Sequence, residues 1–242
     1  MVQKFVEATK LWTVHFVLIS SIVLTVWLPG SLFAEYLLWN VPSDDEVERS
    51  FRIATLIESI FGPIYRGALV YALAQIKQGG RPGYFEAISV GLRHWGRLFA
   101  ARFIAGVLVL VGLLAFIVPA IVLMVRYAFI DVVVIVDGIG GDRARRTSSL
   151  LTRGIQWQIF LAALLFTAIF MPLAYAIRVP YQQFFPALNT MATDVAVDCV
   201  LNVVYAIFQV VIFLYYWQAT EPVGMDPEAE MNVKETGEQN ST

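Results

Sequence analysis

Between Phe103 and Val136 the chain runs for 34 residues with two charges, Arg126 and Asp131, and one proline, Pro119. A single helix over that run would be about 51 Å long. The hydrocarbon layer of a bilayer is only ~30 Å thick. The run must therefore turn back on itself. Pro119 marks the turn, so one helix is expected to end near Val118 and the next to start at Pro119. The stretch "VVVIV" is rich in β-branched residues and would favour a strand in water. In lipid an open strand leaves backbone groups unpaired, and a helix is expected instead.

Other apolar runs follow the same logic. The 242-residue chain is 58% hydrophobic and 15% charged, against about 25% charge in soluble domains. The expected fold is an all-α polytopic membrane protein with six transmembrane helices, over approximately 11–33, 51–76, 99–118, 119–136, 155–177 and 194–217. These form one bundle over 1–218, followed by a disordered acidic cytoplasmic tail over 219–242. The N-terminus resembles a signal peptide but has no small-x-small site at "PGSLFAE", so it is read as an uncleaved first helix. In "YFEAISVGLRHWGRLF", Phe85, Ile88, Leu92, Trp95 and Phe99 fall at helical spacing, which predicts an amphipathic helix lying at the interface. All six tryptophans fall near expected helix ends, as in an aromatic belt.

Basic residues set the expected orientation. With the N-terminus inside, twelve Lys and Arg lie on the inner side, Arg102 and Lys234 among them. Three, Arg49, Arg52 and Arg178, lie outside. That bias places both termini in the cytoplasm. A formal net charge of -2 offers no basic surface for nucleic acid. One cysteine, Cys199, and two histidines, His15 and His94, supply neither a disulfide nor the usual ligands of a transition-metal centre. No cofactor or metal is expected.

Four ionisable residues fall inside expected spans: Glu58, Arg66, Arg126 and Asp131. Such groups are costly in lipid, face the bundle interior and tend to pair. Within one helix only three- and four-residue separations bring side chains together. Depth instead matches acids to bases across helices. Glu58 and Arg126 each lie about 10 Å into their helices, and Arg66 and Asp131 about 22 and 18 Å. The expected pairs are Glu58–Arg126 and Arg66–Asp131. They serve either to fix helix packing or to line a polar route. Asp194, Asp198, Asn202 and Gln209 form a polar stripe on the last helix, a seam that could meet Arg178 or Arg52, or a cavity wall. Ala68–Ala72 and Ala101–Ala105 suit close helix contact.

From Gly112 to Phe160 the sequence "GLLAFIVPAIVLMVRYAFIDVVVIVDG … ARRTSSLLTRGIQWQIF" resembles the membrane domain attached to some bacterial glycerophosphoryl diester phosphodiesterases. It also resembles the related YciC-like family of uncharacterised inner-membrane proteins. The matching positions are Pro119, Arg126, Asp137, Ala144, Ser148, Leu151, Gly154 and Trp157. Ala120, Asp137 and Arg145 depart from the usual Gly, Glu and apolar residue. A weaker echo begins at "GPIYRG". The resemblance implies a bacterial inner-membrane location. In that family the enzyme resides in a soluble barrel bearing histidines and metal-binding acids, and this chain has no counterpart to it, so no enzyme is expected.

The link "DRARRTSSLLTRG" reads as a basic, hydroxyl-rich amphipathic piece at the inner surface. It either anchors topology or holds anionic headgroups through Arg143, Arg145, Arg146, Ser148, Ser149 and Arg153. The expected function is non-enzymatic support of envelope or lipid homeostasis, by binding lipids, anionic ones included, or by assisting a membrane-protein partner. The alternative is a small transporter or permease that uses the intramembrane charge pairs.

Overall fold

A computed structural model describes residues 2–42, 45–184 and 190–220. The expected acidic tail beyond Thr220, with Lys234, lies outside the described residues. The described chain is helical, and six of its helices are long and apolar enough to cross a membrane. The protein is an all-α, multi-pass membrane protein.

The order is α1 (Val2–Val14), α2 (Phe16–Asn40), α3 (Glu46–Lys77), α4 (Tyr84–Ala115), α5 (Ile117–Arg126), α6 (Ile130–Val136), α7 (Gly141–Leu151), α8 (Gln156–Phe184) and α9 (Met191–Thr220). The spans are α2, α3, α4, α5 with α6, the 156–179 part of α8, and α9. His15 interrupts the first expected helix and sets α1 apart. Trp12 of α1 donates to the Val203 carbonyl of α9 at 3.2 Å. Lys77, in the last turn of α3, donates to Glu7 at 2.8 Å, and Lys4 to the same carboxylate at 3.3 Å. Asp45 caps α3 by accepting from the Val47 and Glu48 amides at 2.9 and 3.0 Å.

The amphipathic stretch expected as a separate interfacial helix is the first half of α4 and continues unbroken into the span. Its packing face is also different. Phe85 and Leu92 are exposed, while Ala87, Gly91 and Leu98 are buried. The small residues decide this. A Cβ on Gly91 would lie 2.4 Å from the Ile64 carbonyl oxygen, so only glycine lets α4 come this close to α3. Ala68, Ala72 and Ala87 pack with Ile22 in the same seam, and Ala101 and Ala105 are buried further along. Trp95 donates to the Ile60 carbonyl at 2.7 Å. Trp27 is a second departure from the belt, since it is buried in the core.

The long apolar run does turn back, but at Phe116, the one residue between α4 and α5, which is extended at φ -168° and ψ 157°. Pro119 sits in the first turn of α5, where its missing N–H costs nothing. Gly112 allows the two arms to touch at Ala120.

The returning span is discontinuous. Turn residues 127–129 separate α5 from α6. Such a break frees backbone groups that lipid cannot satisfy. The link expected after the span supplies the partner, because it folds as the helix α7. Ser148 of α7, fully buried, donates from Oγ to the Arg126 carbonyl at 2.7 Å and accepts from the Phe129 amide at 3.2 Å. Ala144, one turn earlier, is also fully buried. Tyr216 of α9 donates to Asp137 at 2.7 Å, just beyond α6. Gly154, at φ +86°, makes the left-handed turn from α7 into α8, and Trp157 beyond it is exposed.

Ser148→Ala is expected to strand both backbone groups at the break, at roughly 1–3 kcal/mol each. Unfolding in detergent micelles would show a loss of about 2 kcal/mol or more; no loss would mean that the hydroxyl is dispensable. A second expectation concerns pH. Burial raises the Glu7 carboxyl's pKa, but the hydrogen bond from Lys77 and the nearby Lys4 and Lys77 charges outweigh it and hold the pKa below the usual carboxylate value. A lowered folded-state pKa gives stability that is present above the ordinary carboxylate pKa and is lost as pH falls through the lowered one. Protease accessibility of α1 should therefore rise only in that acid range, and the rise should be absent in Glu7→Gln.

Candidate functional site

The buried charges gather where α3, α4 and α6 meet. Asp131, in the first turn of α6, has a side chain only 5% exposed. Arg102 of α4 binds it with two donors, Nε at 2.7 Å and the terminal nitrogen closer still. Arg66 of α3 lies on the other side, with Nε 3.9 Å from the same carboxylate. Arg66 also bonds Glu58, two turns back on its own helix. The order is Glu58, Arg66, Asp131, Arg102, with alternating sign and no net charge.

This corrects the expected pairing in one respect and extends it in another. Glu58 does not meet Arg126; it pairs with Arg66. Eight residues separate the two, and the side chain at the position between them would normally block the approach. That position is Gly62. A Cβ there would lie 2.9 Å from both the Arg66 guanidinium and the Glu58 carboxylate. The glycine opens the channel through which the two long side chains join. Arg102, counted among the inner-side charges, is instead the main partner of Asp131. Reading α4 as one helix would have found it, since Arg102 then lies about 20 Å before the helix end at Ala115.

Arg126 ends α5 and is exposed. Its side chain lines a separate pocket of about 360 Å³ with Leu108, Tyr127, Asp142, Arg145, Arg146, Ser149, Leu150 and Arg153. Of the expected headgroup residues, the structure brings Arg145, Arg146, Ser149 and Arg153 together. Arg143 does not line the pocket, and Ser148 is committed to the helix break.

Two larger cavities flank α8. One, of about 930 Å³, lies between α8, α9, α3 and α2. Its walls include Trp27, Tyr65, Phe170, Met171, Pro172 and Leu201. Glu58 and Arg66 contribute charge, as do Arg178 and Asp198, which are bonded to each other. The other, of about 650 Å³, is bounded by α4, α5, α8 and α9 and is reached by Arg66, Arg102 and Gln209. Arg66 and Tyr205 line both cavities. The polar stripe on α9 is thus divided: Asp198 and Asn202 face the first cavity, Gln209 the second.

Between the cavities an aromatic cluster fastens α8 to α9. Phe166 stacks on Phe208 at 4.9 Å and meets Tyr205 edge-on at 5.7 Å, and Phe170 meets Tyr205 at 5.7 Å. Elsewhere α8 is loosely held, with 11% of its apolar window buried. Two uncharged donors in the wall of the larger cavity, Trp27 Nε1 and Tyr65 Oη, are buried with no hydrogen-bond partner. Native interiors rarely leave such groups unsatisfied. Among the described residues no group of three or more His, Cys, Asp and Glu side chains could hold a metal.

Comparison with protein-family models, curated proteins and solved structures returned no match.

Asp131→Asn is expected to cost about 3–5 kcal/mol, since it leaves two arginines facing an uncharged partner. The double variant D131N/R102Q should recover part of that loss. Glu58→Gln should cost less than D131N, because the Glu58 side chain is 43% exposed. Unfolding of all three in micelles checks the order; no recovery in the double variant would show that Arg102 and Asp131 are not coupled.

Proposed function

We propose that the protein is a non-enzymatic lipid-binding protein of the bacterial inner membrane, with both termini in the cytoplasm. In this reading it supports envelope or lipid homeostasis, alone or beside a membrane-protein partner. The supporting observation is the 930 Å³ cavity along α8, which combines apolar walls with charged groups and two unpartnered donors. That lining suits an amphiphile: alkyl chains against Trp27, Phe170, Met171 and Leu201, and hydroxyl or ester oxygens at Tyr65 and Trp27. Loose packing of α8 gives such a molecule lateral access from the bilayer.

The distribution of basic residues supports the orientation. With Arg102 assigned to the bundle, eleven Lys and Arg still stand on the proposed cytoplasmic side against three opposite.

One observation favours a second reading, a small permease. Arg66 lines the 930 and 650 Å³ cavities and also a third of about 340 Å³, with Glu58, Ser59 and Arg102. A charge at the junction of three cavities is where a polar route would pass.

Native mass spectrometry of the protein released from its own membrane tests the first reading. The expected result is at least one lipid retained per chain and less retained in Ala174→Trp, which places an indole in the larger cavity. Equal retention by both proteins would sink the reading. Solute flux in vesicles, abolished by Glu58→Gln with folding intact, would select the permease instead.

A further inference from the structure

Arg126 is not needed by the network that holds the bundle, and its surroundings explain it better. Asp142, Arg145, Arg146 and Ser149 of α7, with Arg153 in the turn that follows it, gather on one side. That face, with Arg126 and Leu108, encloses the 360 Å³ pocket. Four arginines and one aspartate leave a charge of +3. Asp142 is shared by Arg145 and Arg146, at 2.6 and 2.7 Å. Arg126 and Arg153 meet no carboxylate among the described residues. One terminal nitrogen of Arg145 is buried with no hydrogen-bond partner. Like charges gathered around a pocket repel unless an anion joins them, and planar guanidinium forks match phosphate oxygens.

The pocket also borders apolar surface. Leu108 forms one wall, and the arms of the α4–α5 hairpin carry Val111, Met124 and Val122 at 58, 60 and 37% exposure. A phosphate held by the arginines would thus have its alkyl chains beside a hairpin whose exposed side chains here are apolar.

We propose that this pocket is a binding site for the phosphate headgroup of an anionic phospholipid, with Arg126, Arg145, Arg146 and Arg153 as the phosphate ligands and the α4–α5 hairpin as the chain-bearing surface. The charge of +3 favours a headgroup with two phosphates over one. The site shares no residue with the 930 Å³ cavity and does not depend on that cavity being occupied.

The test uses the full chain in micelles, titrated with cardiolipin, phosphatidylglycerol, phosphatidylcholine or inorganic phosphate and read by native mass spectrometry. The expected order of retention is cardiolipin, then phosphatidylglycerol, with phosphatidylcholine weakest. Arg126→Gln and the pair R145Q/R146Q should each weaken cardiolipin retention about tenfold, as loss of a charge-assisted hydrogen bond implies. Arg126→Lys should keep most of it. Arg93→Gln, which removes the same charge from an exposed position on α4, should change nothing. Arg93, Arg126 and Arg146 are exposed and Arg145 is half-buried, and unfolding in micelles checks that each variant folds. The proposal is overturned if R126Q matches R93Q, or if phosphatidylcholine is held as well as cardiolipin. It is also overturned if inorganic phosphate displaces cardiolipin at equal concentration, which would make the pocket a site for the free anion. Because A174W intrudes only on the 930 Å³ cavity, it should leave cardiolipin retention at this pocket intact; the two readings therefore fail separately.

Discussion

A single carboxylate, Asp131, joins three separate parts of the chain. Its place in the first turn of a seven-residue helix puts it among fully apolar neighbours, where an unpaired charge would be prohibitive. Arg102 neutralises it from α4, and Arg66 approaches from α3. Neither arginine can leave without exposing the acid, so the relative positions of α3, α4 and α6 are tied together. The order of charges also extends the constraint outward. Arg66 reaches Glu58 only because Gly62 removes the side chain between them. A glycine and an ion pair thus act as one device.

The same economy governs the broken fourth span. A helix interrupted within a membrane normally needs several neighbours to satisfy its freed backbone groups. One hydroxyl, Ser148, serves both sides of this break as donor and acceptor. It does so from a polar helix, α7, that folds back against the span and holds its arginines beside Arg126. Structural repair and the assembly of the basic pocket are therefore one event.

Helix content and the number of spans were legible in the sequence, because hydropathy and length answer to a solvent of fixed thickness. The turn at Phe116 was misplaced by three residues because Pro119 stops nothing in the first turn of a helix. The sequence of helix α7 reads as a link because its buried side is narrow, consisting of Ala144 and Ser148 flanked by charge. The Arg66–Glu58 pair escaped the three-and-four rule, which assumes a side chain at every intervening position. The cavities beside α8 left one mark in the sequence, the stripe of Asp198, Asn202 and Gln209, which a packed seam explains equally well. Their walls use the same aromatic and aliphatic residues that pack elsewhere, and only the loose seating of α8 turns them into lining.

That seating has a mechanical consequence. Helix α8 is fastened to α9 near its middle, by Phe166 and Phe170 against Tyr205 and Phe208, with open volume on either side of the fastening. A rod pinned at its centre moves its ends in opposite directions. Any rocking of α8 about those rings widens one chamber as it narrows the other, so the two volumes are coupled like the pans of a balance, with Tyr205 of the fastening lining both.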